Sequence, residues 1–185
     1  YYIAFAMAGL TVTVLMNVIG LQVGKWLNNV GAAASWLVMA ALIVAGGVAL
    51  WRFGPATPMP PSSFVPATTL SDIVFWSTLA FAFGGVESGS AMAEEIDDAR
   101  RTVPRAVLTA AAIIVSLYLV GTLSVLLAVP SGQISGLQGI MQALQAVTTR
   151  AGMPWALPAL ALLVVVNSIG GVSGWFAAVA RVPFA

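Results

Sequence analysis

Phe81-Ala-Phe-Gly-Gly-Val-Glu-Ser-Gly-Ser90 breaks into an otherwise apolar run that begins at Ile73. Two adjacent glycines lower helix stability by roughly 1 kcal/mol each relative to alanine, and serine can bond its own backbone instead of continuing a helix. Glu87 follows at about mid-membrane depth for a span over 70–93. A carboxylate at the centre of a spanning helix costs about 2.5–3.5 kcal/mol on insertion scales. Glu87 is therefore expected to face a partner or water, or to keep its proton through desolvation. Two readings stand. In one, Gly85 and Gly89 form a small-xxx-small packing face and Glu87 is a neutral structural acid bonded to a neighbouring helix. In the other, the helix is broken near residues 84–88, and its freed N–H and C=O groups line a substrate or ion site. The coincidence of the charge, the glycines and the aromatics Phe81 and Phe83 favours the break.

The rest of the chain supplies the membrane context. Of 185 residues, 60% are hydrophobic and 7% charged, with a mean hydropathy of +1.00; soluble domains carry about 25% charged residues. Seven Lys and Arg against six Asp and Glu give a net charge of +1, which is no footprint for nucleic acid. With no Cys and no His, disulfides, Cys/His zinc sites, haem sites with His or Cys ligands and any triad built on His are excluded. Only one carboxylate lies deep in a span, so we nominate no catalytic residue and no metal ligand and read the chain as no enzyme. The lipid bilayer is its first partner.

Uncharged stretches separate the charges. A helix crossing roughly 30 Å of hydrocarbon needs about 20 apolar residues, which predicts an all-α, polytopic bundle forming one transmembrane domain over 1–185, with spans at about 1–20, 26–51, 70–93, 106–129 and 155–180. The segment 20–24 is expected to be a tight turn, 53–69 and 94–105 connectors, and 130–154 a longer loop carrying a short surface helix over 137–148 with Gln142 and Gln145 on its polar side. Pro104 is expected in the first turn of the helix that follows it. Five spans put Lys25, Arg100, Arg101, Arg105 and Arg181 on one side, and Arg52 and Arg150 on the other. The positive-inside rule then places loop 94–105 in the cytoplasm, with Trp51 and Trp155 at the outer interface and Trp26 at the inner one. The chain opens on Tyr1-Tyr2 inside an apolar stretch and stops at Ala185 past the last span, and is expected to be a fragment of a larger protein.

Phe81-Ala-Phe-Gly-Gly-Val-Glu-Ser88, followed by Glu94-Glu-Ile-Asp-Asp-Ala-Arg-Arg-Thr-Val-Pro-Arg-Ala106, resembles a signature of the amino acid–polyamine–organocation permeases. In that family an F-x-G-x-E stretch lies in the sixth helix and an E-x-x-[ND]-P-x-[RK]-x-[IV]-P-[RK]-A loop follows it. Ala99 stands where the family often has the first proline. Asn17-Val-Ile-Gly20 with Gly24-Lys25 is similar to the family's turn between helices four and five, and Gly170-Gly171-Val172-Ser173-Gly174-Trp175 to its eighth helix. The resemblance covers the whole chain, as helices four to eight of about twelve.

The resemblance implies part of a LeuT-type fold, in which two inverted repeats hold the substrate between two broken helices. It also implies a secondary transporter moving an amino acid or related amine across the cytoplasmic membrane by alternating access. Phe81 stands at an aromatic gate, Gly84 and Gly85 offer backbone groups to the substrate amino group, and Trp175 borders its side-chain pocket. Glu87 matches a buried glutamate given a proton-linked or gating role. Asn167, Ser168 and Ser173 are polar positions on the last span; Ser168 or Ser173 is expected mainly to bond backbone, with a coupling-ion site near them as the alternative. The lysine that some proton-driven members of the family carry partway along helix five is missing; that helix has Lys25 at its start only. The coupling ion, H+ or Na+, stays open, and no other cofactor is expected. Each position has a plainer reading: packing for Phe81 and Trp175, backbone bonding for Ser168 and Ser173, and helix capping for Asn17. A sensor or scaffold that keeps the permease fold without transporting is the alternative.

Overall fold

A computed structural model describes residues 2–19, 21–65, 68–82, 96–130 and 139–180; among them are helices and turns and no strand. The helices are α1 (Tyr2–Ile19), α2 (Leu21–Phe53), α3 (Leu70–Ala82), α4 (Ala99–Ala128), α5 (Gly139–Arg150) and α6 (Leu157–Val179). Among the described residues, three stretches are long and apolar enough to cross a membrane: Gly24–Phe53, Ala99–Ala128 and Pro154–Val179. A helix of 30 residues, the length of the first two, extends about 45 Å at 1.5 Å per residue, more than the roughly 30 Å of hydrocarbon. Large apolar side chains stand exposed along them, Leu37, Val44, Leu119 and Leu162 among them, as lipid-facing surfaces require. Trp51, Trp155 and Trp26 are exposed as well. The protein is an all-α, multi-pass membrane bundle.

The helix α2 organises it. Gly31, Ala34, Val38, Leu42, Ala45 and Ala49 recur at spacings of three and four and form a buried seam of mostly small residues. Such a seam lets helices approach closely, and in lipid dispersion contacts between close helices replace a hydrophobic driving force. Helix α2 packs most extensively on α6, then on α4, α5 and α1. At its crossing with α6, a Cβ on Gly31 would stand 2.6 Å from the Cα of Gly170. At its crossing with α4, a Cβ on Gly46 would lie 2.7 Å from the Cβ of Ser124. The apolar core gathers Leu42, Ala45 and Ala49 of α2, Ala128 and Val129 at the end of α4, Leu144 and Val147 of α5, and Leu160 of α6.

Three expectations about the connections change. Helix α2 resumes at Leu21, so 20–24 is no five-residue turn. Gly24 is a buried packing position, where a Cβ would lie 3.5 Å from Asn17 Oδ1. Helix α4 starts at Ala99 instead of 106, which moves Pro104 from the first turn to the second. The arginines are good helix formers, so charge marks where this helix leaves the bilayer and not where it begins. Asp98 precedes α4 at φ 50, a left-handed conformation that aspartate tolerates. The helix in the 130–154 loop is α5, and it is more than a surface element: Ala143, Leu144, Val147 and Thr148 are buried, while Gln145 is exposed.

Candidate functional site

A reciprocal cap launches α3. The backbone N–H of Thr69 donates to Asp72 Oδ2 at 3.1 Å, and the N–H of Asp72 faces Thr69 Oγ1 at 3.4 Å, the capping-box exchange that satisfies two orphan donors. From there α3 runs through Phe75, Trp76 and Leu79, all exposed, to Phe81 in its last described turn. Gly84, Gly85 and Glu87, and with them the expected break near residues 84–88, lie outside the described residues.

Helix α6 carries the other nominated residues, on two different sides. Gly170 is buried against α2 and Ser173 against α1, and Ala177 is buried as well. Ser168 and Trp175, seven residues or close to two turns apart, share another face, and Trp175 is 57% exposed. Ser168 donates to the Val164 carbonyl at 2.9 Å, the backbone bond expected of a serine in an apolar helix. It also lines a shallow groove of about 310 Å³ between α1 and α6, with Phe5, Gly9, Thr13, Ile169 and Val172. Ser173 is fully buried, and Asn17 Nδ2 donates to its Oγ at 3.0 Å. The structure thus brings Ser168 and Trp175 to one face and turns Ser173 to another.

Asn17 does not cap. Its amide donates to the Thr13 carbonyl at 2.9 Å and to Ser173, so it ties α1 to α6 across the apolar interior. Thr13 is buried one turn earlier and bonds the Gly9 carbonyl at 2.8 Å. One turn from Gly31, the Oδ1 of Asn28 is buried with no donor among the described residues. Sequence reasoning missed the Thr13–Asn17–Ser173 arrangement. The spacing of Thr13 and Asn17, one helical turn apart in an apolar helix, was its one visible signal. A second polar cluster lies at the opposite end of α2, where Arg150 donates to the Ala128 and Gly54 carbonyls, each at 3.0 Å.

The sequence profile of one protein family, described as amino acid permease, matches residues 1–185. An uncharacterised transporter of Legionella pneumophila is 26% identical over 177 residues, covering 95% of this chain and 38% of the relative. An uncharacterised transporter of Mycobacterium tuberculosis is 27% identical over 185 residues, covering 98% of this chain and 40% of its own length. A glutamate/gamma-aminobutyrate antiporter of Lactococcus lactis is 25% identical over 155 residues, covering 80% and 31%. The chain therefore spans less than half the length of these relatives. No solved structure matches.

Proposed function

The chain belongs to the amino acid permease family, and from that membership we propose that it is the middle part of a secondary transporter that moves an amino acid or related amine across the cytoplasmic membrane by alternating access. The observation that carries this reading is the family match over residues 1–185, together with a membrane-crossing bundle. In the proposed site, Phe81, Gly84, Gly85 and Trp175 meet the substrate, and Glu87 couples the gate to a proton or a sodium ion with Ser168 and Ser173 nearby. Loop 94–105 faces the cytoplasm. The antiporter among the relatives supports glutamate and gamma-aminobutyrate as the first substrates to try.

The test uses the full-length protein in proteoliposomes. Radiolabelled amino acids are screened for uptake, with and without a pH gradient and with and without sodium. Glu87→Gln should impair uptake or shift its pH dependence, and uptake that follows the parent protein across pH removes Glu87 from coupling. Gly85→Val should abolish uptake, because a branched side chain fills the break; normal uptake there removes the site assignment. Binding of an amino acid without movement in proteoliposomes would overturn the transport reading as a whole.

A further inference from the structure

Three helices end at one place. The last residues of α2, α4 and α5 are Phe53, Ala128 and Arg150, so the unpaired carbonyls and negative dipole ends of three helices crowd together there. Two arginines answer them reciprocally. Arg150, the last residue of α5, donates from Nη2 to the carbonyl of Gly54, just past α2, at 3.0 Å. Arg52, in the last turn of α2, donates from Nη1 to the carbonyl of Ala151, just past α5, at 3.4 Å. Arg150 Nη1 reaches the final carbonyl of α4, Ala128, at 3.0 Å, and its guanidinium stands 6.0 Å from the centre of the Phe53 ring.

The segment after α2 is sewn to α4 as well. The Ala56 N–H donates to the Leu127 carbonyl at 2.7 Å, and Thr57 Oγ1 donates to the Val129 carbonyl at 3.1 Å. Beneath this clasp, Leu144 and Val147 of α5 are fully buried against α2, α4 and α6. A planar fork bonds two carbonyls from different helices at once, which an ammonium on a flexible stem does not reproduce.

We propose that Arg150 is a positioning residue for transport: it straps α5 across the ends of α2 and α4 and holds those ends together as one body through the transport cycle. Its transport half rests on the function proposed above, whereas the strap rests on the geometry alone. A pocket of about 520 Å³ lies beside the clasp, lined by Ala128, Val129, Gln142, Gln145, Thr149 and Arg150 among others.

The experiment places single cysteines in the full-length protein, freed of any other cysteine, at Leu144 (buried) or at Gln145 (exposed), in parent, Arg150→Lys and Arg150→Gln backgrounds. Maleimide modification in detergent and uptake kinetics in proteoliposomes are read in parallel. In the parent background, Leu144→Cys should react about tenfold or more slowly than Gln145→Cys, with and without substrate. In Arg150→Gln the two rates should converge, because loss of charge-assisted bonds of this kind shifts an opening equilibrium by about tenfold or more. Maximal uptake should fall several-fold with little change in KM, and Arg150→Lys should lie between. Where Arg150→Gln does not give monodisperse protein, Arg150→Lys serves with the same readouts. Continued protection of Leu144→Cys in the Arg150 variants would overturn the proposal. So would its exposure in the parent background when substrate is added, or exposure in Arg150→Gln with unchanged maximal uptake. A parent protein that transports nothing defeats the functional reading instead, and the labelling still decides the strap.

Discussion

At Gly170 there is no room for a methyl group. A Cβ built there would lie 2.6 Å from the Cα of Gly31 and 3.0 Å from the carbonyl oxygen of Leu27, both backbone atoms of α2. No flexible side chain can yield, so Gly170→Val should force α2 and α6 apart and lower the stability of the solubilised protein by roughly 1–3 kcal/mol or more. Gly171, the next residue, has nothing within 4 Å of its Cβ position. Gly171→Val is therefore the matched control, and equal melting temperatures for the two variants would refute the packing argument. The Asn17–Ser173 bond makes a second prediction at this scale. Cross-helix hydrogen bonds in membranes average about 0.6 kcal/mol in double-mutant cycles, with a ceiling near 1.7. Asn17→Leu and Ser173→Ala should each destabilise modestly, and their cycle should return a coupling in that range; a coupling of zero would show that the bond carries no net stability. Sequence made Asn17 look like a cap because it lies near a helix end. Its side chain turns inward because α1 crosses α6 at Ser173, a contact between positions 156 apart in the chain.

Among the helices, α5 departs furthest from its sequence-based description. Its twelve residues include Gln142, Gln145, Thr148 and Thr149, and polar content of that kind reads as a solvated surface helix. Yet Leu144 and Val147 are among the largest fully buried side chains described, because the ends of α2, α4 and α6 converge beneath them. Leu144→Ala should thus cost about 2–5 kcal/mol, as truncation of a buried leucine does. Gln145→Ala, on the exposed side, should stay within about 0.5 kcal/mol, as surface substitutions usually do. Thermal unfolding followed by fluorescence size-exclusion reads both, and similar melting temperatures would return α5 to the surface. By contrast, the start of α3 was written in the chain. Thr69 and Asp72 have the spacing of a capping box, and that exchange is local enough to need no other element.

On the scale of the whole molecule, the membrane decides most of the architecture. Lys25, Arg100, Arg101 and Arg105 against Arg52 and Arg150 predict that one set of connectors is cytoplasmic. In right-side-out vesicles of the full-length protein, an impermeant thiol reagent should modify Thr57→Cys and spare Arg101→Cys until the membrane is permeabilised; the reverse pattern would invert the topology. A composition of 60% hydrophobic and 7% charged residues leaves no water-facing fold open, and the long uncharged stretches between the charges already read as spanning helices. The family is legible there too, because the motif at 81–106 is a local pattern of residues that does not depend on which helices touch. That Gly31 meets Gly170, that Asn17 reaches Ser173, and that Arg150 bonds carbonyls at the ends of α2 and α4 becomes visible in the folded bundle alone. Each is a meeting of residues that no local pattern pairs: close approach between small-residue helix faces sets the first, and hydrogen bonds across the packed helices make the other two. Composition and periodicity say which residues such a face carries, and the packed bundle alone says which face it meets.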